Sequence, residues 1–251
     1  TALAIGAVSA TGIDSVSGQM SGLGASGITA GGDALVRNLA GDLTLQSGIS
    51  AQAIDLVTAG ALQNAAGATL TAANGWRIWA SSWVGETRGG LAGNGALPNL
   101  YGCSFNGACA ATAPASGGNY FIYQQQPTAI IVIGNATREY GLANPAFTYS
   151  ITGGVLGDGQ GSVATGTPTS AATIGSNVGA YSITGNFISP AGYALQFAPG
   201  TLSITPATLV FTADEMLRYF GFGNPDFTGT FSGFRNGDTL QSAFANGVSI
   251  Y

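Results

Sequence analysis

The sequence predicts an all-β chain: a right-handed parallel β-helix followed by small glycine-rich β-sheet modules. Three observations carry that expectation. Apolar runs between residues 28 and 83 are only three to five residues long and are punctuated by glycine at 41, 48, 60, 67 and 75. A ten-residue pattern recurs 80 positions apart: Arg138, Tyr140, Gly141, Asn144, Pro145 and Phe147 are answered by Arg218, Phe220, Gly221, Asn224, Pro225 and Phe227. The composition combines 41 Gly with 45% hydrophobic residues, too apolar for a disordered glycine-rich linker and without the strict period of collagen.

Residues 1–27 are expected to form a β-rich lead-in or further coils. In 28–83, Leu43 and Leu45 alternate with Thr44, and Ile54 and Leu56 alternate with Asp55. Period-two alternation puts the aliphatic side chains on one face and the polar ones on the other. Strands this short cannot build a sandwich alone, but stacked coils of about 20 residues complete one another's sheets. A glycine-rich sandwich and helices within 51–73 are the alternatives. Gly60 and Gly67 interrupt the helical one. Trp76, Trp79 and Trp83 crowd the end of the periodic stretch, where a structural cap is favoured over a sugar-stacking platform.

Residues 84–128 read as a loop-rich excursion. Asn106-Gly107 is a turn signal between Cys103 and Cys109, so the two cysteines are expected to form a local disulfide at a hairpin tip, the alternative being two free buried thiols. A bridge there favours an oxidising compartment. The excursion, with Arg88 and its cysteine clip, is the best candidate for a ligand-binding face.

Two modules follow, the first at 129–206 and an incomplete second at 207–251. Strands are expected at 130–133, 147–151, 181–183, 193–197 and 202–204, then at 209–211 and 227–231. The second module holds only the opening half of the pattern, so open strand edges there are expected to pair with missing downstream sequence or with another copy. Phe211, Phe227, Phe231 and Phe234 are the candidate assembly surface.

Six Arg, no Lys, no His and eleven acidic residues give a net charge of −5. That balance argues against nucleic acid, which needs a basic face, and removes histidine as base, metal ligand or pH switch. No run of 18 apolar residues is present, and Thr1 is not followed by a signal-peptide pattern, which places any targeting region upstream or already removed. Asp14, Asp33, Asp42 and Asp55 are spread singly, without the clustered carboxylates that polysaccharide-cleaving β-helices need, so no enzyme, catalytic residue or cofactor is expected. Asp214, Glu215 and Asp226 are read as solvated turn carboxylates in preference to a calcium site, and no metal site is expected. Asn135-Ala136-Thr137 is a lone glycosylation sequon.

The run Gly60-Ala61-Leu62-Gln63-Asn64-Ala65-Ala66-Gly67-Ala68-Thr69-Leu70 resembles the recurring coil of secreted adhesins of the filamentous haemagglutinin type in Gram-negative bacteria. The Trp-rich and Gly-Cys-Ser-Phe-Asn-Gly-Ala-Cys stretch is also similar to that family. Tyr140-Gly141, Asn144-Pro145, Phe147, 177–181, 193–195 and 200–206 resemble the tandem mostly-β, glycine-rich MBG modules of such proteins. The resemblance implies export through an outer-membrane two-partner secretion transporter to the cell surface or matrix. It implies a role in adhesion, aggregation or extracellular matrix toward a host, sibling-cell or polysaccharide ligand. The alternative is a self-assembling subunit, a homo-polymer, of an extracellular filament or sheath. The family's amino-terminal secretion domain is not recognisable, and no Arg-Gly-Asp tripeptide is present.

Overall fold

The computed structural model describes residues 3–5, 12–13, 20–21, 27–111 and 117–244. These residues are predominantly β, with single-turn helices at Gln160–Val163 and Leu240–Ala243.

Three rows of parallel strands are stacked in the first part of the chain. Ile49 lies opposite both Ile28 and Leu70, Ile54 opposite both Ala34 and Trp76, and Leu43 opposite both Leu3 and Leu62. The interval between register partners is 21 at Ile28 and Ile49, 20 at Ala34 and Ile54, 22 at Ile54 and Trp76, and 19 at Leu43 and Leu62. The chain therefore returns to the same row after each coil. The inward faces carry Leu43, Leu45, Ile49, Ile54, Leu56, Leu62 and Ile78, all essentially without solvent exposure. Each coil alone would leave this aliphatic row wet; stacking buries it against the rows on either side. The outward positions between them pair along the stack: Arg77 donates to Asp55 at 2.7 Å, and the Trp79 indole N–H donates to the same carboxylate at 2.9 Å.

Corners are closed by buried amide side chains and by close backbone approach. Asn64, fully buried, donates from Nδ2 to the carbonyls of Ala68 and Arg88 and accepts from the Ala68 N–H. Gly89 approaches so closely that a Cβ there would collide with the Asn64 carbonyl, and its φ of +57° adds a second reason for glycine.

The stack does not end at Trp83. Strand Trp76–Ala80 pairs in parallel with Tyr120–Tyr123, which pairs in parallel with Asn99–Tyr101. The expected cap is corrected accordingly: Trp76 is a core residue, 3% exposed and edge-on to Phe121 at 5.1 Å. An apolar run at 120–123 could not reveal from sequence that it inserts between strands 76–80 and 99–101.

Beyond residue 127, strand Thr128–Ile133 is flanked by Tyr149–Thr152 and Ala194–Ala198. A second sheet runs in the order Ala136–Glu139, Gly200–Thr205, Gly179–Ile188, Thr165–Ser170. Ala136–Glu139 pairs with Gly200–Thr205 in parallel, Ala136 opposite Leu202 and Glu139 opposite Thr205. The last described hairpin pairs Val210–Ala213 with Gly229–Ser232, one to two residues later than expected. The strands at 136–139 and 165–170 were not anticipated, because Thr, Arg, Glu and Pro mask their alternation.

The 80-residue repeat is a repeat of geometry. Gly134 N–H donates to the Thr148 carbonyl and Asp214 N–H to the Thr228 carbonyl, both at 2.9 Å. Leu142 donates to Glu139 and Phe222 to Tyr219, both at 3.2 Å. Leu156 and Asn236 share the left-handed conformation, at φ 54° and 52°. The two single-turn helices keep the same spacing.

Two compact units emerge: Thr1–Ile131 with Ile151–Gly166 and Phe187–Gln196, and Val132–Ser150 with Thr167–Asn186 and Phe197–Tyr251. The 129–206 stretch thus contributes to both units.

Candidate functional site

The first unit holds a buried polar network in the region nominated as a binding face. Glu86 and Arg88 follow the turn after Trp83, where Thr87 bridges to Gln63 and extends a coil row. Arg88 Nε donates to Glu86 Oε1 at 2.6 Å, and Nη2 donates to Asn99 Oδ1 at 2.9 Å and to the Tyr123 hydroxyl at 2.7 Å. Its guanidinium lies 3.7 Å from the centre of the Phe121 ring, a cation–π contact that offsets part of its lost hydration. Tyr123 in turn donates to Glu86 Oε2 at 2.8 Å.

Asn99 carries the network onward. Its Nδ2 donates to Asp158 Oδ1 at 2.6 Å, while the hydroxyls of Tyr101 and Tyr193 donate to Asp158 Oδ2 at 2.7 and 2.6 Å. One carboxylate thereby satisfies three donors on residues no more than 4% exposed. The rings beneath are packed as a set: Tyr101 stacks on Tyr123 at 5.5 Å, Tyr193 meets Tyr101 edge-on at 4.9 Å, and Trp83 meets both Tyr101 and Tyr123. Above the network opens a cleft of about 410 Å³, lined by Arg88, Leu91, Pro98, Asn99, Asp158 and Ser162 among others.

The electrostatics are those of a fixed joint. Burial opposes the charge on Arg88, but Tyr123 and Glu86 outweigh it and hold the guanidinium above its ordinary range. Burial pushes the Tyr101 hydroxyl far up, helped by Asp158. Tyr123 is also raised by burial, with Arg88 working against the shift and Glu86 with it. Tyr193 is pushed up to about 12 by burial and by its bond to Asp158. These phenols are held neutral and act as donors to carboxylates that already accept them.

An alkaline titration checks this. Because Tyr193 keeps its proton more tightly when folded, its stabilising contribution is complete below the ordinary tyrosine value near 10 and is lost as pH rises toward about 12. Tyrosinate absorbance should therefore lag for Tyr101, Tyr123 and Tyr193 until the unit unfolds. Replacing Tyr193 with Phe should flatten the loss of stability above pH 10; an unchanged profile would count against the assignment.

Sequence reasoning selected Arg88 but missed Glu86, Asn99, Tyr101, Tyr123, Asp158 and Tyr193 as one network. The only legible signal was aromatic density at 99–101 and 120–123. Asp158-Gly159 read simply as a turn.

Cys103 and Cys109 are joined, with Asn106 at the turn in the left-handed conformation at φ 57°. The clip is pinned to the coils by Phe105, which packs edge-on against Trp79 at 5.5 Å and beneath Arg37 at 5.6 Å.

The four candidate assembly phenylalanines have different surroundings. Phe211 and Phe231 face each other across the last hairpin at 4.8 Å, with Phe244 on Phe231. Phe234 lines a small cavity of about 180 Å³ with Tyr140, Val178, Pro206 and Arg235. Phe227 is the exposed member, at 59%. Asp214 accepts a hydrogen bond from Thr228 at 2.6 Å.

Residues 129–203 match the MBG domain (YGX type). The matched stretch contains Tyr140-Gly141-Leu142, and the domain is a non-catalytic structural module. No curated protein and no solved structure matches the chain. Among the described residues, no group of three or more His, Cys, Asp or Glu could hold a metal ion, and no helix is long and apolar enough to cross a membrane.

Proposed function

We propose that this chain is part of a secreted surface protein of a Gram-negative bacterium, acting in cell adhesion, aggregation or extracellular matrix. In this reading 28–83 is a right-handed parallel β-helix, 84–128 a loop-rich excursion whose strands at 99–101 and 120–123 extend the same stack, and 129–206 and 207–251 tandem MBG modules. The observation that supports it most is the setting of the match at 129–203. Stacked parallel coils precede it, and a second copy of its opening geometry follows. MBG domains are associated with tandem-repeat surface proteins exported by two-partner secretion, so an outer-membrane transporter is the proposed export partner. The disulfide between Cys103 and Cys109 fits an oxidising destination.

A second reading, a self-assembling structural subunit, is favoured by one specific observation. In the second module Leu217, Tyr219, Phe220 and Phe222 are 94, 82, 102 and 72% exposed. Phe211, Phe227, Phe231 and Phe234 border this region in sequence and remain its candidate assembly residues.

Trypsin treatment of intact producing cells tests the location. Peptides of the chain should be released from intact cells while a cytoplasmic marker stays intact, and deletion of the gene should reduce aggregation or surface attachment. Recovery of the chain only after cell lysis would reject the proposal.

A further inference from the structure

One turn recurs with the repeat, and in both copies it lies against residues that come earlier in the chain. Residues 155–158 read Val-Leu-Gly-Asp and residues 235–238 read Arg-Asn-Gly-Asp, 80 positions apart. Each holds two successive left-handed residues: Leu156 and Gly157 at φ 54° and 74°, Asn236 and Gly237 at 52° and 79°. The same backbone bond closes both, from Asp158 N–H to the Val155 carbonyl at 3.0 Å and from Asp238 N–H to the Arg235 carbonyl at 2.9 Å. Asn-Gly favours this geometry by itself. Leucine does not, because its Cβ crowds the backbone there.

In the first copy the turn is anchored on segment 91–101. Asp158 accepts from Asn99 and Tyr101, Ser162 Oγ donates to the Ala96 carbonyl at 3.0 Å, and Leu156 lines the same cleft as Leu91 and Pro98. The unfavourable leucine conformation thus falls where the turn meets that segment. The second copy makes different bonds. Asp238 accepts from Ser242 of its own single-turn helix at 3.1 Å, and the other neighbours come from the first repeat. Arg235 Nη2 donates to Glu139 Oε1 at 3.4 Å, and a Cβ on Gly141 would collide with the Arg235 side chain. A Cβ on Gly175 would stand 3.0 Å from Asn236 Nδ2, and its three nearest atoms would all belong to that amide. Gly141 needs glycine for its own φ of +78°, but Gly175 is not left-handed, so the approach of Asn236 is what favours glycine there.

We propose that the turn at 235–238 docks the second repeat on the first, and that its partner is the corner Glu139–Gly141 together with Gly175. The kind of partner it fits is a preceding repeat with an acidic side chain at the 139 position and no side chain at the 141 and 175 positions. The fit is mainly steric. Arg235 and Glu139 are 44% and 32% exposed, so their pairing selects the sign of the partner's charge more than it adds hold. A turn already closed by its own backbone bond meets the corner without ordering loose chain on contact, which keeps the entropic cost of docking small. The inference rests on reading 207–244 as a second copy of the module, and not on where the protein resides.

Trypsin reads this joint directly, because the chain has six arginines and no lysine, and Arg235 opens the turn. The full chain and its Gly175→Trp variant are digested under native conditions, and cleavage after Arg235 and after Arg138 is followed by mass spectrometry. The indole is aimed at Asn236 and should accelerate cleavage after Arg235 at least tenfold. Cleavage after Arg138, inside the first repeat, should stay as slow as in the parent chain. Unchanged cleavage after Arg235 overturns the proposal. A second variant decides the case if the tryptophan also exposes Arg138. Gly175→Cys combined with Asn236→Cys should close a second disulfide on air oxidation, recovered as a linked pair of tryptic peptides beside the bridge at Cys103 and Cys109. Failure to close that bridge overturns the proposal as well. Neither measurement depends on cellular location, so failure here and failure of the surface-protein reading are told apart.

Discussion

Asp158→Ala is expected to lower the stability of the first unit by about 3 kcal/mol, read as a shifted denaturant midpoint of the Trp83 and tyrosine signals. Asp158 accepts from Asn99, Tyr101 and Tyr193, and its removal strands three donors whose residues are almost fully buried. An orphaned buried donor costs about 1–3 kcal/mol, and the cleft beside Asp158 lets water recover part of that, so the total falls below the sum. Asp158→Asn keeps one acceptor but turns an amide toward the Tyr hydroxyls and should lie between wild type and Ala. A loss below about 1 kcal/mol for the Ala variant would mean that the aromatic set holds itself in place without the carboxylate.

Arg138→Ala should cost about 3 kcal/mol, while Arg218→Ala, the same residue in the next repeat, should stay within about 0.5 kcal/mol. The difference follows from surroundings alone. Arg138 is buried and bridges Asn144, Glu139 and Thr173, so its loss leaves a cavity and removes three hydrogen bonds, while the Thr173 carbonyl keeps the Ser176 N–H at 3.0 Å. Arg218 meets Asn224 in the open, and solvent replaces what it gives up. Urea denaturation of the two variants side by side is the measurement. Equal losses would contradict the difference in surroundings between Arg138 and Arg218.

Much of the architecture was legible wherever a local pattern repeats. The alternation at 43–45 and 54–56 correctly assigned Leu43, Leu45, Ile54 and Leu56 to the inside and Asp55 to the outside. The recurrence of Arg, Gly, Asn-Pro and Phe marked a repeat, and the structure repeats its turns at a spacing of 80 residues. The polar network was not legible, because it is assembled from positions that sequence leaves far apart. Asn99 and Asp158 are 59 residues apart, and Tyr101 and Asp158 are 57 apart. No local propensity encodes such a meeting. The insertion of Tyr120–Tyr123 between two earlier strands was hidden for the same reason: the strand order in this sheet departs from the order along the chain. Ala136–Glu139 escaped notice because its pairing depends on Gly200–Thr205, which supplies the apolar half of the match.

The stacked coils also set how this part of the molecule would yield under tension. One coil of 21 residues, from Ile28 to Ile49, raises the stack by one strand spacing, about 4.8 Å. The same 21 residues drawn taut span about 70 Å. Each coil peeled from an end would therefore lengthen the tether more than tenfold over what it contributed when wound, breaking only the bonds to a single neighbour. A pulled chain built this way lets out slack in equal steps and dissipates work at each one, while the remaining coils keep their register.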